Sequence, residues 1–114
     1  MNITMEELEA YLFHHYGGRA NEQGMFMKLV EEIGEVAEVL NKRSGRKAAS
    51  DTDLLAQLGE ELADVIHYTV AIAAINGINL NDVILEKDRA ASVKYNHDLN
   101  LESFLLAQRN SEEK

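Results

Sequence analysis

Glu32 and Glu35, and further along Glu61 and Asp64, form two carboxylate pairs at i, i+3 spacing. They lie in KLVEEIGEVAEVLNKR (28–43) and LGEELADVIHY (58–68). Side chains three apart stack on one helix face. Like charges that close repel, and a carboxylate at the edge of an apolar face costs several kcal/mol unless something compensates it. A divalent cation compensates both pairs at once, and hard oxygen donors suit Mg²⁺ or Mn²⁺.

The pairs converge only if two helices bring them together. At about 100° per residue from Glu31, the apolar stripe of Met25, Phe26, Leu29, Ile33, Val36 and Leu40 centres near 180°. Glu31 and Glu38 point away from it; Glu35 sits at about 40° and Glu32 at about 100°, on the stripe's edge. In the second stretch the stripe of Leu54, Leu55, Leu58, Leu62, Val65, Ile66 and Ile72 centres about 60° from Glu61, with Asp64 on its rim. Glu35 precedes Arg43 by eight residues and Glu61 follows Asp51 by ten. In an antiparallel hairpin these are similar depths, roughly 12 to 15 Å from the connecting loop. Glu31, Glu38 and Glu60, taken singly, read as solvated.

The supporting elements are helices throughout. Thr4 with Glu7 forms a capping box for a first helix ending at Gly17-Gly18. A second helix runs from about Asn21 to Arg43 and stops at Gly45. Ser50 or Asp51 caps a third, which ends at Asn76-Gly77. Asn79 caps a fourth, from Leu80 to about Tyr95, and Asn100 a short fifth, LESFLLAQR, before a charged tail. Short connections between long helices predict an all-α, antiparallel four-helix bundle-like domain with a short extra C-terminal helix. The 114 residues fit a single domain. Proline is absent, and cysteine too, which excludes thiolate zinc sites and suits a reducing cytoplasm.

A net charge of −9 argues against a nucleic-acid groove or an anionic membrane surface. The acidic N-terminus reads as no signal peptide, and the 14-residue run VIHYTVAIAAINGI is too short to span a bilayer.

Glu31-Glu32-Ile33-Gly34-Glu35, then 25 residues, then Glu61-Leu62-Ala63-Asp64 resembles the signature of the MazG-like all-α nucleoside triphosphate pyrophosphatases. That superfamily includes dimeric dUTPases and dCTP pyrophosphatases, and the resemblance covers roughly residues 22 to 96. It implies that Glu32, Glu35, Glu61 and Asp64 are Mg²⁺ ligands, with Glu31 and Glu38 as outer groups that orient water. It also implies hydrolysis between the α and β phosphates, releasing monophosphate and pyrophosphate. Glu31, Glu35 or Glu38 would then accept the water's proton. The family's phosphate- and sugar-binding pattern maps onto Lys87 and Lys94-Tyr95, but Ala91 stands where asparagine is expected. Lys28 either meets phosphate or pairs with Glu31 and Glu32. Such enzymes limit unwanted nucleotides and are dimers or dimer-of-dimers tetramers. Met27 and Val30, apolar but outside the narrow stripe, fit burial against another copy.

Other residues carry weaker signals. His14 and His15 suit a helix C-terminus, and His67, three residues after Asp64 but about 120° from Glu61, reads as turned away from the apolar arc and is discounted as a ligand. Lys42, Arg43, Arg46 and Lys47 read as a solvated turn. Phe13, Tyr16, Phe26 and Tyr68 could stack a base but fit core positions better; Met25 and Met27 suit an adaptable pocket or a seam. Two other functions are open to such a chain: a non-catalytic interaction module, and a di-iron or di-manganese carboxylate bundle. The latter wants Glu-x-x-His twice, where this chain offers only Asp64-x-x-His67.

Overall fold

The computed structural model describes residues 1–18, 21–45 and 51–112, the side chain of Asp51 excepted. They form five helices: α1 (Met5–Tyr16), α2 (Glu22–Ser44), α3 (Asp51–Ile75), α4 (Leu80–Lys94) and α5 (Leu101–Glu112). No strand occurs among the described residues, and the class is all-α.

Local sequence sets the helix ends. Thr4 Oγ1 accepts the Glu7 N–H at 3.0 Å while the Glu7 carboxylate accepts the Thr4 N–H at 2.8 Å, a complete capping box. Asn21, Asn79 and Asn100 each accept the N–H three residues on, at 3.0, 3.2 and 2.8 Å. Gly77 leaves α3 with φ +66°, a left-handed turn that glycine adopts without strain. α5 extends to Glu112, beyond the short piece expected. Of the two expected caps, Ser50 lies outside the described residues, as do Arg46 and Lys47, while Asp51 is the first residue of α3; Lys42 and Arg43 close the last turn of α2.

The chain divides into two compact units, Met1–Ile78 and Asn79–Lys114. In the first, α2 and α3 run antiparallel: Asn76, just past the end of α3, donates to Glu22 at the start of α2 at 2.6 Å. Glu32 and Glu61 meet midway along the pair. The α1 helix is tied to α3 by a 2.8 Å hydrogen bond between Tyr16 Oη and His67 Nε2. Leu12, Met25, Val39, Leu54 and Val70 are buried, together with Ala71, Ala73 and Ala74.

The buried seam of α2 is Met25, Leu29, Glu32, Val36 and Val39; that of α3 is Leu54, Leu58, Glu61, Val65 and Tyr68. Both step by four, three, four and three, the 3.5-residue repeat of helices packed at a shallow angle. This corrects the expected stripes. Phe26, Ile33 and Leu40 are exposed, and so are Leu55, Leu62 and Ile66. Each helix carries two adjacent apolar seams, and the wheel averaged them; only one faces the neighbouring helix. The carboxylates Glu32 and Glu61 therefore lie within the packed seam rather than at its edge.

In the second unit, the Asp88 carboxylate accepts the Leu101 N–H at 2.6 Å, joining α4 to the first turn of α5. Arg89 pairs with Glu102 at 3.3 Å. Asn96, at φ +58°, turns the chain out of α4. No single helix among the described residues is long and apolar enough to cross a membrane.

Candidate metal centre

The α2 and α3 seams bring one carboxylate oxygen each from Glu32, Glu61 and Asp64 within 4.8 Å of one another. Glu32 and Glu61 are half-buried, and Asp64 opens to solvent. One oxygen on each glutamate, Glu32 Oε2 and Glu61 Oε2, is buried and has no hydrogen-bond donor. Buried acceptors are ordinarily satisfied, so two orphans facing across one helix pair mark a place built for something else.

Charge crowding shows in the proton affinities. Glu61 is pushed up to about 7, first by the Glu35 carboxyl hydrogen-bonded to it, then by Glu32, then by burial. Glu32 is raised chiefly by burial, with the Glu35 and Asp64 charges adding and its bond to Glu61 opposing. Two carboxylates hydrogen-bond only if one holds a proton. Without a cation this cluster retains a proton near neutrality; a divalent cation replaces it. Three converging carboxylates, two of them with a buried oxygen that has no donor, fit such an ion.

The remaining candidates fall in different places. Glu35 abuts Glu61 and Glu32. Glu31 is exposed and pairs with Lys28 at 3.4 Å; the bond to Glu31 raises the lysine's proton affinity. Glu38, also exposed, pairs with Lys42 at 3.7 Å. Lys87, Lys94 and Tyr95 belong to the second unit, where the Lys94 ammonium stands 5.4 Å from the Tyr95 ring centroid. His67 is not part of the oxygen cluster: its ring meets Tyr16 and lies edge-on to Tyr68, centroids 4.9 Å apart. That link was missed in the sequence. The only available signal was an aromatic at the end of the first helix and a histidine on the flank of the third.

The fold and site define an all-α protein with a carboxylate cluster suited to a divalent ion. The profile of the MazG nucleotide pyrophosphohydrolase domain matches residues 20–90, and the chain belongs to that family. It is similar to the crystal structure of Ntag-iMazG from Vibrio DAT 722, at 31% identity and a TM-score of 0.64. That likeness covers 83% of this chain and 100% of the other. The Ctag-iMazG structure from the same source gives 30% identity and a TM-score of 0.61, covering 79% and 99%. Uncharacterized protein YpjD of Bacillus subtilis (strain 168) is 30% identical over 83 residues, 69% of this chain and 75% of YpjD. Nucleotide pyrophosphohydrolase activity is the general function of the family, which is generally metal-dependent.

Proposed function

We propose that this chain hydrolyses nucleoside or deoxynucleoside triphosphates between the α and β phosphates. The products are the monophosphate and pyrophosphate, and the role is clearance of unwanted nucleotides. The ion is Mg²⁺, with Mn²⁺ as a substitute, held by Glu32, Glu61 and Asp64 with Glu35 beside them. The reading takes the chain as one MazG-like domain working in the cytoplasm as a homo-oligomer, a dimer or a dimer of dimers.

The carrying observation is the pair of buried, donorless oxygens on Glu32 and Glu61. Bound there, a divalent cation supplies charge neutralisation for the triphosphate and polarises phosphorus towards water. The carboxylates alone would repel a polyanion, so they hold no phosphate directly. Lys28, one turn before Glu32 on α2, supplies a cation for phosphate. Water adds at the α-phosphorus, the bond to the bridging oxygen breaks, pyrophosphate departs, and a carboxylate takes the water's proton. Glu35 is the favoured acceptor, because Glu31 and Glu38 are held by Lys28 and Lys42.

A panel of common and modified triphosphates, assayed for pyrophosphate with Mg²⁺, tests this reading. Release that a chelator stops, and that Glu61→Gln reduces by more than about a hundredfold, is the expected result. Release of orthophosphate instead, or activity indifferent to chelator, contradicts it.

A further inference from the structure

Tyr68 lies on the carboxylates' own face of α3. From Glu61 it is about 20° round and two turns on, and Asp64 precedes it by one turn. On α2, Lys28 precedes Glu32 by one turn. The register that meets Glu32 with Glu61 and Glu22 with Asn76 brings Lys28 level with Tyr68. Their nearness shows in the proton affinity of Lys28, which Glu31 raises first and Tyr68 raises further. Among the described residues no hydrogen bond holds the Tyr68 hydroxyl, whereas that of Tyr16 is bonded to His67. A phenol O–H and an ammonium at one end of the cluster are both donors that a phosphate oxygen accepts.

The Tyr68 ring rests against His67. The imidazole stands edge-on to Tyr68 at 74°, centroids 4.9 Å apart, and edge-on to Tyr16 at 84° and 5.7 Å. Its Nε2 lies 2.8 Å from Tyr16 Oη. Tyr16 is itself braced: His15 lies edge-on to it at 4.6 Å, and Tyr11 stacks on His15 at 6.3 Å. Burial, and then the Tyr68 and Tyr11 phenols, raise the Tyr16 proton affinity, so its hydroxyl stays neutral. Five rings thus run from the surface of α1 to the end of the carboxylate face. Two apolar rings would also join α1 to α3. A hydrogen bond adds orientation, fixing the imidazole plane and with it the edge that Tyr68 meets.

We infer that His67 is a positioning residue: held by Tyr16, its ring sets the Tyr68 hydroxyl beside Lys28, where the two receive the phosphate chain of the cation-bound nucleotide. This role rests on the pyrophosphohydrolase reading for its substrate, but the phosphate end can be probed without hydrolysis. It also gives α1, which contributes no carboxylate to the cluster, a part in binding.

Isothermal titration calorimetry of inorganic triphosphate into the full chain, with Mg²⁺ in excess, tests it, beside KM and kcat for a hydrolysed nucleoside triphosphate. His67→Phe keeps a ring and loses the nitrogen; Tyr16→Phe loses only the hydroxyl. Each should weaken triphosphate binding about three- to tenfold, the worth of one hydrogen bond, and raise KM by a like factor with kcat little changed. Tyr68→Phe should do the same. His67→Phe added to Tyr68→Phe should then cost nothing more, because one residue acts through the other. A bond that only ties two helices would lower the unfolding midpoint and leave affinity unmoved, or its loss would add in full to that of Tyr68→Phe; either result overturns the inference. Should His67→Phe fail to fold, Tyr16→Phe, alone and combined with Tyr68→Phe, decides by the same criterion. A native chain that binds triphosphate but releases no pyrophosphate defeats the hydrolytic reading and leaves this one standing. A native chain that binds no triphosphate overturns the positioning role, whether or not nucleotides are hydrolysed.

Discussion

A carboxyl raised to about 7 carries a stability signature whose sign is fixed by linkage. Glu61 binds its proton more tightly in the folded chain than in the unfolded one. Between the ordinary glutamate range and about pH 7, the folded state therefore holds the extra proton, and ion-free stability falls as pH rises through that window. Thermal unfolding in chelator should show a lower midpoint at pH 8 than at pH 5.5. On the proposed reading Mg²⁺ displaces that proton, so its stabilising effect should be larger at pH 8. Glu61→Gln keeps a neutral, isosteric group; in chelator it should flatten the decline between those pH values while losing the Mg²⁺ effect. A midpoint that rises with pH in chelator and is unchanged by the substitution would contradict the crowding described here. The approach of Glu32, Glu61 and Asp64 to one another was legible from spacing, because i, i+3 pairs on two helices at equal depth can face one space; Glu35 meets them through Glu61. Their burial was underestimated: adjacent apolar seams blur a helical wheel by about one residue.

At the level of elements, the caps were the most readable feature, since a Thr4–Glu7 box or an asparagine N-cap is a local matter of hydrogen bonds. Removing one has a bounded cost: Thr4→Ala should destabilise by about 1 kcal/mol, seen as a drop of about 4–8 °C in the unfolding midpoint of a domain near this size. The docking of α1 was not readable, because its anchors are long-range. Leu12 is 0% exposed and Tyr16 reaches His67 from 51 residues away. Leu12→Ala should cost about 2–5 kcal/mol through transfer and cavity terms; denaturant melts would show a lower midpoint with an unchanged slope. A loss under 1 kcal/mol would mean that α1 is not packed as described. The Lys28–Glu31 and Lys42–Glu38 pairs are exposed and contribute little to stability.

Over the whole molecule, the hairpin presents two unlike flanks: one crowded with carboxylates that ask for a cation, the other uncharged and apolar. An all-α fold and the family's signature could be read directly, since helical periodicity and motif spacing are sequence properties. Which apolar seam faces inward could not, because both rows satisfy the same period and only the packed chain distinguishes them. If copies associate as the proposed function has it, folding and association are linked, and the unfolding midpoint should rise with protein concentration. A midpoint constant over a hundredfold range of concentration would oppose that linkage. The central proposal is a cation between α2 and α3. Titrating Mn²⁺ into the ion-free protein and following the free-ion electron paramagnetic resonance signal probes it without reference to catalysis. The native chain should deplete that signal at neutral pH and release Mn²⁺ to excess Mg²⁺, while Glu61→Gln and Glu32→Gln leave it largely intact. Equal depletion by native and substituted chains would place the ion elsewhere and contradict the assignment.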